Sequence, residues 1–239
     1  MTKREINQNS KLTEELINTI ESKFEFADEP INRFNFTEKE YEISLEDKKN
    51  LLLKLKKQLN SIENCKLKEN SKKTVLGAGN LNSSIMLIGE APGLEEEVAG
   101  LPFKGEVGEL LDKMLLAINI ERQNIYITYT INFRLPEDRK PTSAEIKRYS
   151  IFLKEHISII DPKIIVLMGS TAMEAVTGLN NRISNERSKW KEMIFKNKTL
   201  PVMITFNPSY LIRFPENKKY SWEDLKKIRK KIKDLNIKI

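Results

Sequence analysis

The residue types best suited to chemistry are concentrated in one short stretch, residues 89–105, with the sequence GEAPGLEEEVAGLPFKG. Glycine permits positive φ and lets the backbone approach a ligand closely, whereas proline fixes φ. Phe103 offers a flat apolar face on which a base can stack, and the neighbouring carboxylates could act on water or on a sugar. This combination indicates a pocket for a nucleotide base. The alternative is a tight turn with solvated glutamates, since short motifs often match by chance.

The elements around this stretch place it at the end of a strand. Residues 85–88 form an apolar run typical of a buried strand, and residues 109–116 have the apolar spacing of a helix. Ligands bind at the carboxyl ends of strands in open α/β sheets, because backbone N–H groups and strand-end side chains converge there. We therefore expect this loop to contribute to a binding site.

Four apolar runs predict parallel strands, at residues 84–88, 125–131, 163–168 and 202–206. Helical patterns separate them at about residues 106–118, 143–159 and 170–177, and each is long enough for a crossover connection. Thr142 and Glu145 have the spacing of a capping box at the start of the second helix, and Gly169 precedes the third. The predicted fold class is therefore α/β, with three α/β/α layers around a central four-stranded, mostly parallel sheet.

The chain is predicted to divide into an N-terminal extension, residues 1–45, and one globular domain, residues 46–239. In the extension we predict a short helix near residues 11–23 and then irregular chain with scattered phenylalanines. The extension could cover the basic face, dock another protein, or brace the sheet. Residues 44–62 predict a lysine-rich amphipathic helix. Residues 222–235 predict another, which we expect to pack on the sheet, with membrane binding as the alternative.

The charge distribution favours a nucleic-acid partner. The formal net charge is +7, but residues 1–45 carry 6 Lys/Arg against 10 Asp/Glu, so residues 46–239 carry 35 against 24, a net +11. Such a surface attracts polyanions through counterion release, with nucleic acid first and anionic membrane second. No run of about 18 apolar residues and no signal-peptide pattern is present, which predicts a soluble, cytoplasmic protein. The single cysteine, Cys65, excludes an internal disulfide and a multi-cysteine metal site.

Two further groups of motifs follow in order along the chain. They are YIT at residues 126–128 with RLPEDRKP at 134–141, and NPSYLIR at residues 207–213 with WEDL at 222–225. Together with residues 89–105, this ordered set resembles the motifs of family 4 uracil-DNA glycosylases. The resemblance implies a uracil-DNA glycosylase-like fold. It also implies a monofunctional enzyme that hydrolyses the N-glycosidic bond of uracil in DNA during base excision repair.

The reaction that this resemblance implies needs charged and polar groups on both sides of the breaking bond. The sugar becomes oxocarbenium-like, uracil leaves as an anion, and the base must first be flipped out of the duplex. The resemblance assigns the catalytic roles to Glu90, Glu96 and Asn207, with Glu96 preferred for placing water and Asn207 as donor to the leaving oxygen. It assigns substrate binding to Ala91, Gly93, Phe103, Tyr129 and Ser209, with Phe103 as the stacking face.

At two of these positions the chain departs from the family. The family usually has an asparagine at position 129, whose amide contacts uracil at two points, and Tyr129 makes only one comparable hydrogen bond. The family usually has a histidine at position 207, and Asn207 keeps a neutral N–H donor there. The function could therefore also be that of a catalytically impaired DNA-binding relative, or of a glycosylase for another deaminated base. The one histidine, His156, is expected on the surface.

A third departure concerns iron. The family commonly holds an iron–sulfur cluster with four cysteines, and the matching positions here are Ile62, Cys65, Phe133 and Tyr149. Such a cluster needs about four thiolates. We therefore predict no metal and no cofactor, and we expect side-chain packing to fill the space.

The resemblance implies that the partner is DNA containing uracil or another damaged base. We expect a monomer without membrane binding. Other repair or replication proteins are further candidate partners. The residues predicted to bind DNA are Arg139, Tyr210, Leu211 and Arg213, of which Leu211 could fill the gap left by a flipped base. Phosphate contacts are also expected from basic residues in three loops, namely Arg134, Lys140, Arg187, Lys189, Lys191, Lys218 and Lys219.

Overall fold

The structure is a computed structural model that describes residues 43–196 and 198–238. The predicted N-terminal helix near residues 11–23, and the irregular chain around it, lie outside the described residues. The compact unit that contains the described residues begins at Ile43. The division of the chain between residues 45 and 46 stays a prediction.

A six-stranded mixed sheet forms the centre of the described fold, in the order β1-β3-β2-β4-β6-β5. The strands are β1 (Gly77–Gly79), β2 (Ile85–Gly89), β3 (Tyr126–Tyr129), β4 (Ile164–Met168), β5 (Trp190–Phe195) and β6 (Lys198–Thr205). Strands β3, β2, β4 and β6 are parallel, and Ile88 lies opposite both Thr128 and Leu167. Strands β1 and β5 pair antiparallel at the two edges.

The four central strands are those predicted from the apolar runs, which are continuous because parallel strands are buried on both faces. The predicted count of four is too low, since two edge strands add to the sheet. Strand β1 has three residues, two of them glycine, and β5 alternates half-buried and exposed residues. Neither strand therefore produces the apolar run on which the prediction depended.

The helices lie where the periodicity placed them, with short ones added in the loops. They are α1 (Leu45–Asn60), α2 (Lys66–Asn70), α3 (Leu94–Ala99), α4 (Gly105–Leu116), α5 (Ser143–Ile160), α6 (Ser170–Thr177), α7 (Ile183–Glu186), α8 (Pro208–Arg213) and α9 (Lys218–Asp234). The predicted capping box is confirmed, because Thr142 and Glu145 each accept the backbone N–H of the other. Such caps satisfy N–H groups that have no partner inside the helix.

Helices cover both faces of the sheet, which confirms the predicted three-layer architecture. On one face, side chains of α1, α5 and α6 pack against Ile88 and Leu167. On the other face, side chains of α4 and α9 pack against Leu87 and Val166. Successive strand residues point to opposite faces, so neighbours in one strand enter different cores. These two cores hold the strand ends rigidly in place.

Helix α9 is the predicted C-terminal amphipathic helix. Its Leu225, Ile228 and Ile232 belong to the core on the α4 side of the sheet, in agreement with the sheet-packing interpretation. Trp222 and Leu235, near its two ends, are exposed. Over the part of the chain that the structure describes, no helix has the length and apolar character needed to cross a membrane.

His156 is buried in α5, which corrects the prediction of a surface residue. Its Nε2 lies 2.9 Å from the Tyr126 hydroxyl, and its Nδ1 lies 3.4 Å from the Thr128 hydroxyl. Burial lowers the pKa of His156 to about 3, so the imidazole is neutral and serves as a structural group against β3. The helical pattern could not show this, because the partners come from a different element.

Candidate active site

The parallel strands place the motif residues at one edge of the sheet. Strands β3, β2 and β4 end at Tyr129, Gly89 and Met168, and Asn207 lies just beyond the end of β6. The carboxyl ends of parallel strands share an edge, so motifs that are far apart in sequence converge there. Catalytic groups are therefore expected at the carboxyl edge of the sheet.

Glu90 follows the last residue of β2 and is half-buried. The Thr171 hydroxyl, at the start of α6, donates a hydrogen bond to Glu90 Oε2 at 2.5 Å. This bond orients the carboxylate and leaves the other oxygen as an acceptor for water. Thr171 is a site residue that the sequence analysis missed. The signal that could have found it is its place just past the carboxyl end of a predicted strand.

Asn207 caps helix α8 with its side chain. Its Oδ1 accepts hydrogen bonds from the backbone N–H and from the hydroxyl of Ser209, both at 3.0 Å. Because Oδ1 accepts both bonds, the amide orientation is defined. Nδ2 points the other way and makes a long contact of 3.4 Å with the Met168 carbonyl oxygen. Asn207 thus keeps donor capacity for a further acceptor.

Glu90 and Asn207 contact opposite ends of one turn, residues 168–171. Thr171 holds Glu90 at one end. At the other end Gly169 has a φ of 101°, and a Cβ added to it would lie 3.4 Å from Asn207 Cβ. Glycine allows this backbone conformation and lets the turn pass close to the amide. The turn after β4 therefore separates a carboxylate at the end of β2 from an N–H donor beyond the end of β6, where the two groups could stabilise charges of opposite sign.

Glu96 is a buried residue of α3. Its Oε2 accepts the Gly93 N–H at 3.0 Å, and its Oε1 lies 3.3 Å from both the Lys104 N–H nitrogen and the Tyr129 hydroxyl. Both oxygens therefore bind protein donors. Glu96 closes the loop of residues 93–104 onto α3, and the solvated-glutamate alternative does not hold for it. Glu90, in contrast, has one bonded oxygen, Oε2, and its Oε1 has no hydrogen-bond partner among the described residues.

The ring of Phe103 is covered, which corrects the expectation of an open stacking face. Phe103 is 2% exposed, and the Tyr129 ring lies 5.0 Å away between centroids at an angle of 30°. Gly89 allows this packing, because a Cβ there would lie 2.7 Å from Phe103 Cζ and 2.8 Å from Tyr129 Cδ1. Tyrosine reaches further than the asparagine usual at this position. A base can stack on Phe103 only if the Tyr129 ring moves.

The hydroxyl of Tyr129 is bonded on both sides. It accepts the Phe103 N–H at 2.9 Å and donates to Glu96 Oε1 at 3.3 Å. Burial, and then the charge of Glu96, raise the pKa of Tyr129 well above its usual value, so the hydroxyl stays protonated. Arg122 secures the same loop, since it donates a hydrogen bond to the Pro102 carbonyl oxygen. The sequence predicted Tyr129 at the pocket but not this closed arrangement.

Helix α8 presents aromatic rings, and not Leu211, towards the surface. Leu211 is 1% exposed, which corrects the predicted wedge: its side chain packs inside the protein. The Tyr210 ring stacks at 5.0 Å on Phe206 and lies 4.9 Å from Phe214, which is 44% exposed. Exposed aromatic faces beside basic groups such as Arg213 are suited to base stacking. Phe214 is a candidate contact that the sequence analysis missed, although it directly follows the last motif.

Three of the arginines predicted to contact DNA are held by carboxylates. Arg134 forms a two-point ion pair with Asp138 at 2.8 and 2.9 Å. Arg139 forms a two-point ion pair with Glu145 at 2.7 and 2.9 Å, and this pairing lowers the pKa of Glu145 to about 2. Arg187 pairs with the buried Asp224 at 2.5 Å, so it belongs to the internal structure and not to a free phosphate-binding loop. Arg213 is exposed, and its Nε donates to a backbone carbonyl oxygen of its own helix. Arg213 is thus the arginine best placed for phosphate.

The four positions where the family commonly has cysteine come together in one core. Cys65, Phe133 and Tyr149 are buried there, and Ile62 packs against them. The Tyr149 hydroxyl lies 3.0 Å from Cys65 Sγ, and its ring lies 6.0 Å from that of Phe133. These side chains do not fit a cluster that needs about four thiolates. In residues 43–196 and 198–238, no group of three or more His, Cys, Asp or Glu is arranged to hold a metal.

A three-layer α/β/α domain with a carboxylate and an amide donor at the carboxyl edge of its sheet belongs to the class of proteins that bind a ligand at that edge. Comparison with known proteins narrows this class. Residues 76–228 match the family described as the uracil DNA glycosylase superfamily. The chain belongs to this superfamily.

Three similar relatives are type-4 uracil-DNA glycosylases. The protein of Thermotoga maritima is 37% identical over 172 residues, which cover 71% of this chain and 88% of the relative. That of Sulfurisphaera tokodaii is 36% identical over 183 residues, 74% of this chain and 83% of the relative. That of Archaeoglobus fulgidus is 31% identical over 176 residues, 72% of this chain and 88% of the relative. The resemblance seen in the motifs is therefore confirmed over most of the chain.

Proposed function

We propose that this protein is a monofunctional uracil-DNA glycosylase, which hydrolyses the N-glycosidic bond of uracil in DNA during base excision repair. Membership of the uracil DNA glycosylase superfamily and the type-4 relatives support this assignment. The single observation that carries it is the placement of Glu90 and Asn207 on the two ends of one turn. The reaction needs a carboxylate near the sugar and a neutral N–H donor near the leaving base.

In the proposed mechanism Glu90 places the attacking water. The carboxylate accepts a hydrogen bond from water, whose oxygen bonds to C1′ of the deoxyribose as the C1′–N1 bond breaks. The water proton passes to Glu90, and the electron pair of the broken bond leaves with uracil. The negative charge of Glu90 also offsets the positive charge that develops on the sugar. Thr171 keeps the carboxylate in the required orientation.

Asn207 supports the departure of the base. Its Nδ2–H donates to the uracil oxygen on which negative charge develops, a contribution of roughly 3 kcal/mol for one well-placed donor. Ser209 fixes the amide so that this donor is oriented before the reaction begins. Ala91 and Gly93 belong to the loop that lines the base, and Glu96 is a positioning residue for that loop.

We propose that DNA contacts the carboxyl edge from the side of α8. Arg213 supplies a phosphate contact, and the rings of Tyr210 and Phe214 supply a stacking surface. Arg139 contributes less, because Glu145 already neutralises it. Cytoplasmic localisation, a monomeric state and further protein partners stay predictions from the sequence.

We also propose that the enzyme works without an iron–sulfur cluster. Three of the four family positions carry side chains that offer iron no thiolate, and their packing fills the space. Iron analysis of the purified protein, together with its visible absorbance, tests this. Stoichiometric iron bound to active protein would reject the proposal.

The proposed activity is tested with a single-stranded oligonucleotide that contains one uracil. Incubation with the protein and then alkali should cut the strand at the uracil, because alkali cleaves an abasic site. Protein without alkali should leave the strand intact, as a monofunctional enzyme has no strand-cutting step. The control oligonucleotide has thymine in place of uracil. No scission with excess protein over a long incubation would reject the activity.

The covered ring of Phe103 favours a second candidate, a relative that binds DNA without releasing a base. It predicts salt-sensitive DNA binding without scission. In that case the double substitution Tyr129→Asn and Asn207→His should recover base release. Oligonucleotides with hypoxanthine or xanthine, assayed in parallel, test the further alternative of a glycosylase for another deaminated base.

A further inference from the structure

The Tyr129 side chain contacts three groups that could also bind a flipped base: the Phe103 ring, the Phe103 backbone N–H and the Glu96 carboxylate. Its ring packs against that of Phe103 in a tilted arrangement, with 5.0 Å between the centroids and 30° between the planes. Its hydroxyl accepts the Phe103 N–H at 2.9 Å and donates to Glu96 Oε1 at 3.3 Å. One side chain thus supplies a stacking face, an acceptor and a donor. The edge of a pyrimidine with a carbonyl oxygen beside a ring N–H supplies the same three features.

We propose that Tyr129 occupies the base site of the free protein, and that uracil takes its place by presenting its imide edge to Phe103 N–H and Glu96. The O4 carbonyl oxygen accepts the Phe103 N–H, and the adjacent N3–H donates to the Glu96 carboxylate. This inference rests on the proposed function. It assigns base selection to a backbone N–H and a carboxylate, and not to the side chain at position 129.

This donor and acceptor pair distinguishes uracil from cytosine. Cytosine carries an amino group where uracil has O4, and a ring nitrogen without hydrogen where uracil has N3–H. Its amino group would face the Phe103 N–H, and its ring nitrogen would face the Glu96 carboxylate. Both contacts would then lack a partner, and buried polar groups without partners reduce affinity strongly. The departure from asparagine at position 129 therefore leaves uracil selection in place.

Displacement of Tyr129 reduces the affinity for uracil without abolishing it. Every contact that the phenol gives up is taken over by the base, so the exchange is close to balanced. The apparent affinity still falls by the fraction of molecules in which the ring has moved away. A variant without the ring should consequently bind uracil more tightly than the natural protein.

Free bases test the proposal without requiring catalysis. Tyr129→Ala should bind uracil at least about tenfold more tightly than the wild type, as measured by equilibrium dialysis. 1-Methyluracil, blocked where the sugar is attached, should bind Tyr129→Ala like uracil does. 3-Methyluracil and cytosine lack N3–H and should bind this variant more weakly than uracil does, by a factor of at least about ten. Equal binding of the two methyluracils, or no gain over the wild type, would overturn the proposal.

Tyr126→Leu is the matched control, since Tyr126 is another buried tyrosine of β3 whose hydroxyl contacts His156 instead. It should show no gain in uracil binding. A gain similar to that of Tyr129→Ala would show that any loosening of β3 admits the base, and would reject the assigned site. Thermal melts establish that both variants are folded.

A measurement on the wild type keeps the proposal testable if Tyr129→Ala does not fold. The protein is labelled with 3-fluorotyrosine, and the fluorine resonance of Tyr129 is assigned by its loss in Tyr129→Phe. DNA with 2′-fluoro-2′-deoxyuridine resists hydrolysis, because the electronegative substituent disfavours positive charge on the sugar. Saturation with this DNA should shift the Tyr129 resonance, and matched thymidine DNA should not. An unchanged resonance would overturn the proposal.

Measurements of base binding and of base release together distinguish failure of the proposed base site from failure of the proposed glycosylase function. Scission by the wild type, without a binding gain in Tyr129→Ala or a shift of the Tyr129 resonance, rejects this inference and leaves the proposed function intact. Selective uracil binding by Tyr129→Ala, without scission by the wild type or by the variant, rejects the proposed function and leaves the base site intact.

Discussion

Tyr129 and Tyr149 stand in two regions of one protein where the family usually has a smaller functional residue, asparagine in one case and cysteine in the other. Both are buried, and both hydroxyls have partners. Around Tyr149 the neighbours have changed as well, because Phe133 fills the space and one thiol, Cys65, remains. Around Tyr129 the Phe103 ring packs against the tyrosine ring and the Phe103 backbone N–H donates to its hydroxyl, the arrangement that we propose as the base site.

The comparison shows two possible effects of a buried tyrosine. Its side chain can fill the space of a binding site, as we propose for Tyr149, or it can cover a site that stays intact beneath it, as we propose for Tyr129. Tyr149 lies in a close-packed core that it fills together with Cys65 and Phe133. The carboxyl edge has the Glu90 carboxylate as an acceptor and the Asn207 amide as a donor, and the Tyr129 ring covers the Phe103 ring. The following predictions, from the largest expected effect to the smallest, test whether the two regions differ in this way.

Truncation of Phe133 should have the largest effect on stability if Cys65, Phe133 and Tyr149 form a structural core. Phe133→Ala should lower the free energy of unfolding by about 3–5 kcal/mol, because it leaves a cavity among buried side chains. Urea denaturation measures this. Phe214→Ala removes the same ring from an exposed position and should change stability by no more than about 0.5 kcal/mol. A loss below about 1 kcal/mol for Phe133→Ala would show that this region is not tightly packed.

Neutralising Glu90 should affect the reaction and not the fold. Glu90→Gln should lower the single-turnover rate of uracil release about 100-fold, equivalent to about 2.7 kcal/mol, because the sugar cation loses its counter-charge. Stability should change little, since the glutamine oxygen still accepts the Thr171 hydroxyl.

Glu95→Gln is the control for this measurement, as it neutralises an exposed carboxylate of the same segment. It should leave the rate nearly unchanged. Glu96→Gln should act on binding of the base and on the loop that Glu96 closes, and less on the chemical step. If Glu96→Gln slowed chemistry more than Glu90→Gln did, Glu96 would be the water-placing residue after all.

Alkaline pH compares the two tyrosines directly. Burial raises the pKa of both Tyr129 and Tyr149 above the usual value. Above a pH of about 10 the folded protein therefore binds more protons than the unfolded chain, and stability falls as pH rises, by about 1.4 kcal/mol per unit for each group. Tyr129→Phe and Tyr149→Phe should each have a shallower decline than the wild type in urea denaturation between pH 9 and about 11. Curves parallel to the wild type would show that these hydroxyls titrate normally.

The smallest expected effect is a change in the salt dependence of DNA binding, which tests whether DNA binds at the carboxyl edge of the sheet. Arg213→Ala should reduce the slope of log K against log salt by about one, because one phosphate contact is lost. Arg139→Ala should change the slope less, since Glu145 already pairs with Arg139. Fluorescence anisotropy with a labelled oligonucleotide measures both. A larger change for Arg139→Ala would place the DNA track beside α5 instead of α8.

The sequence by itself determined the elements that depend on local pattern. Four continuous apolar runs identified the parallel strands, and the spacing of Thr142 and Glu145 identified the start of α5. The convergence of Glu90 and Asn207 followed as well, because topology places the ends of parallel strands at one edge. The edge strands β1 and β5 escaped notice, since short or half-exposed strands carry little hydrophobic signal.

The tertiary structure alone decided which of the motif side chains are accessible. Phe103 and Tyr129 are 26 residues apart, and only the pairing of β2 with β3 brings their rings together over Gly89. The burial of Leu211 and the pairing of Arg187 with Asp224, 37 residues away, likewise arise between separate elements. Sequence periodicity reports which face of an element is apolar, but the partner that a given side chain meets depends on how those faces are packed.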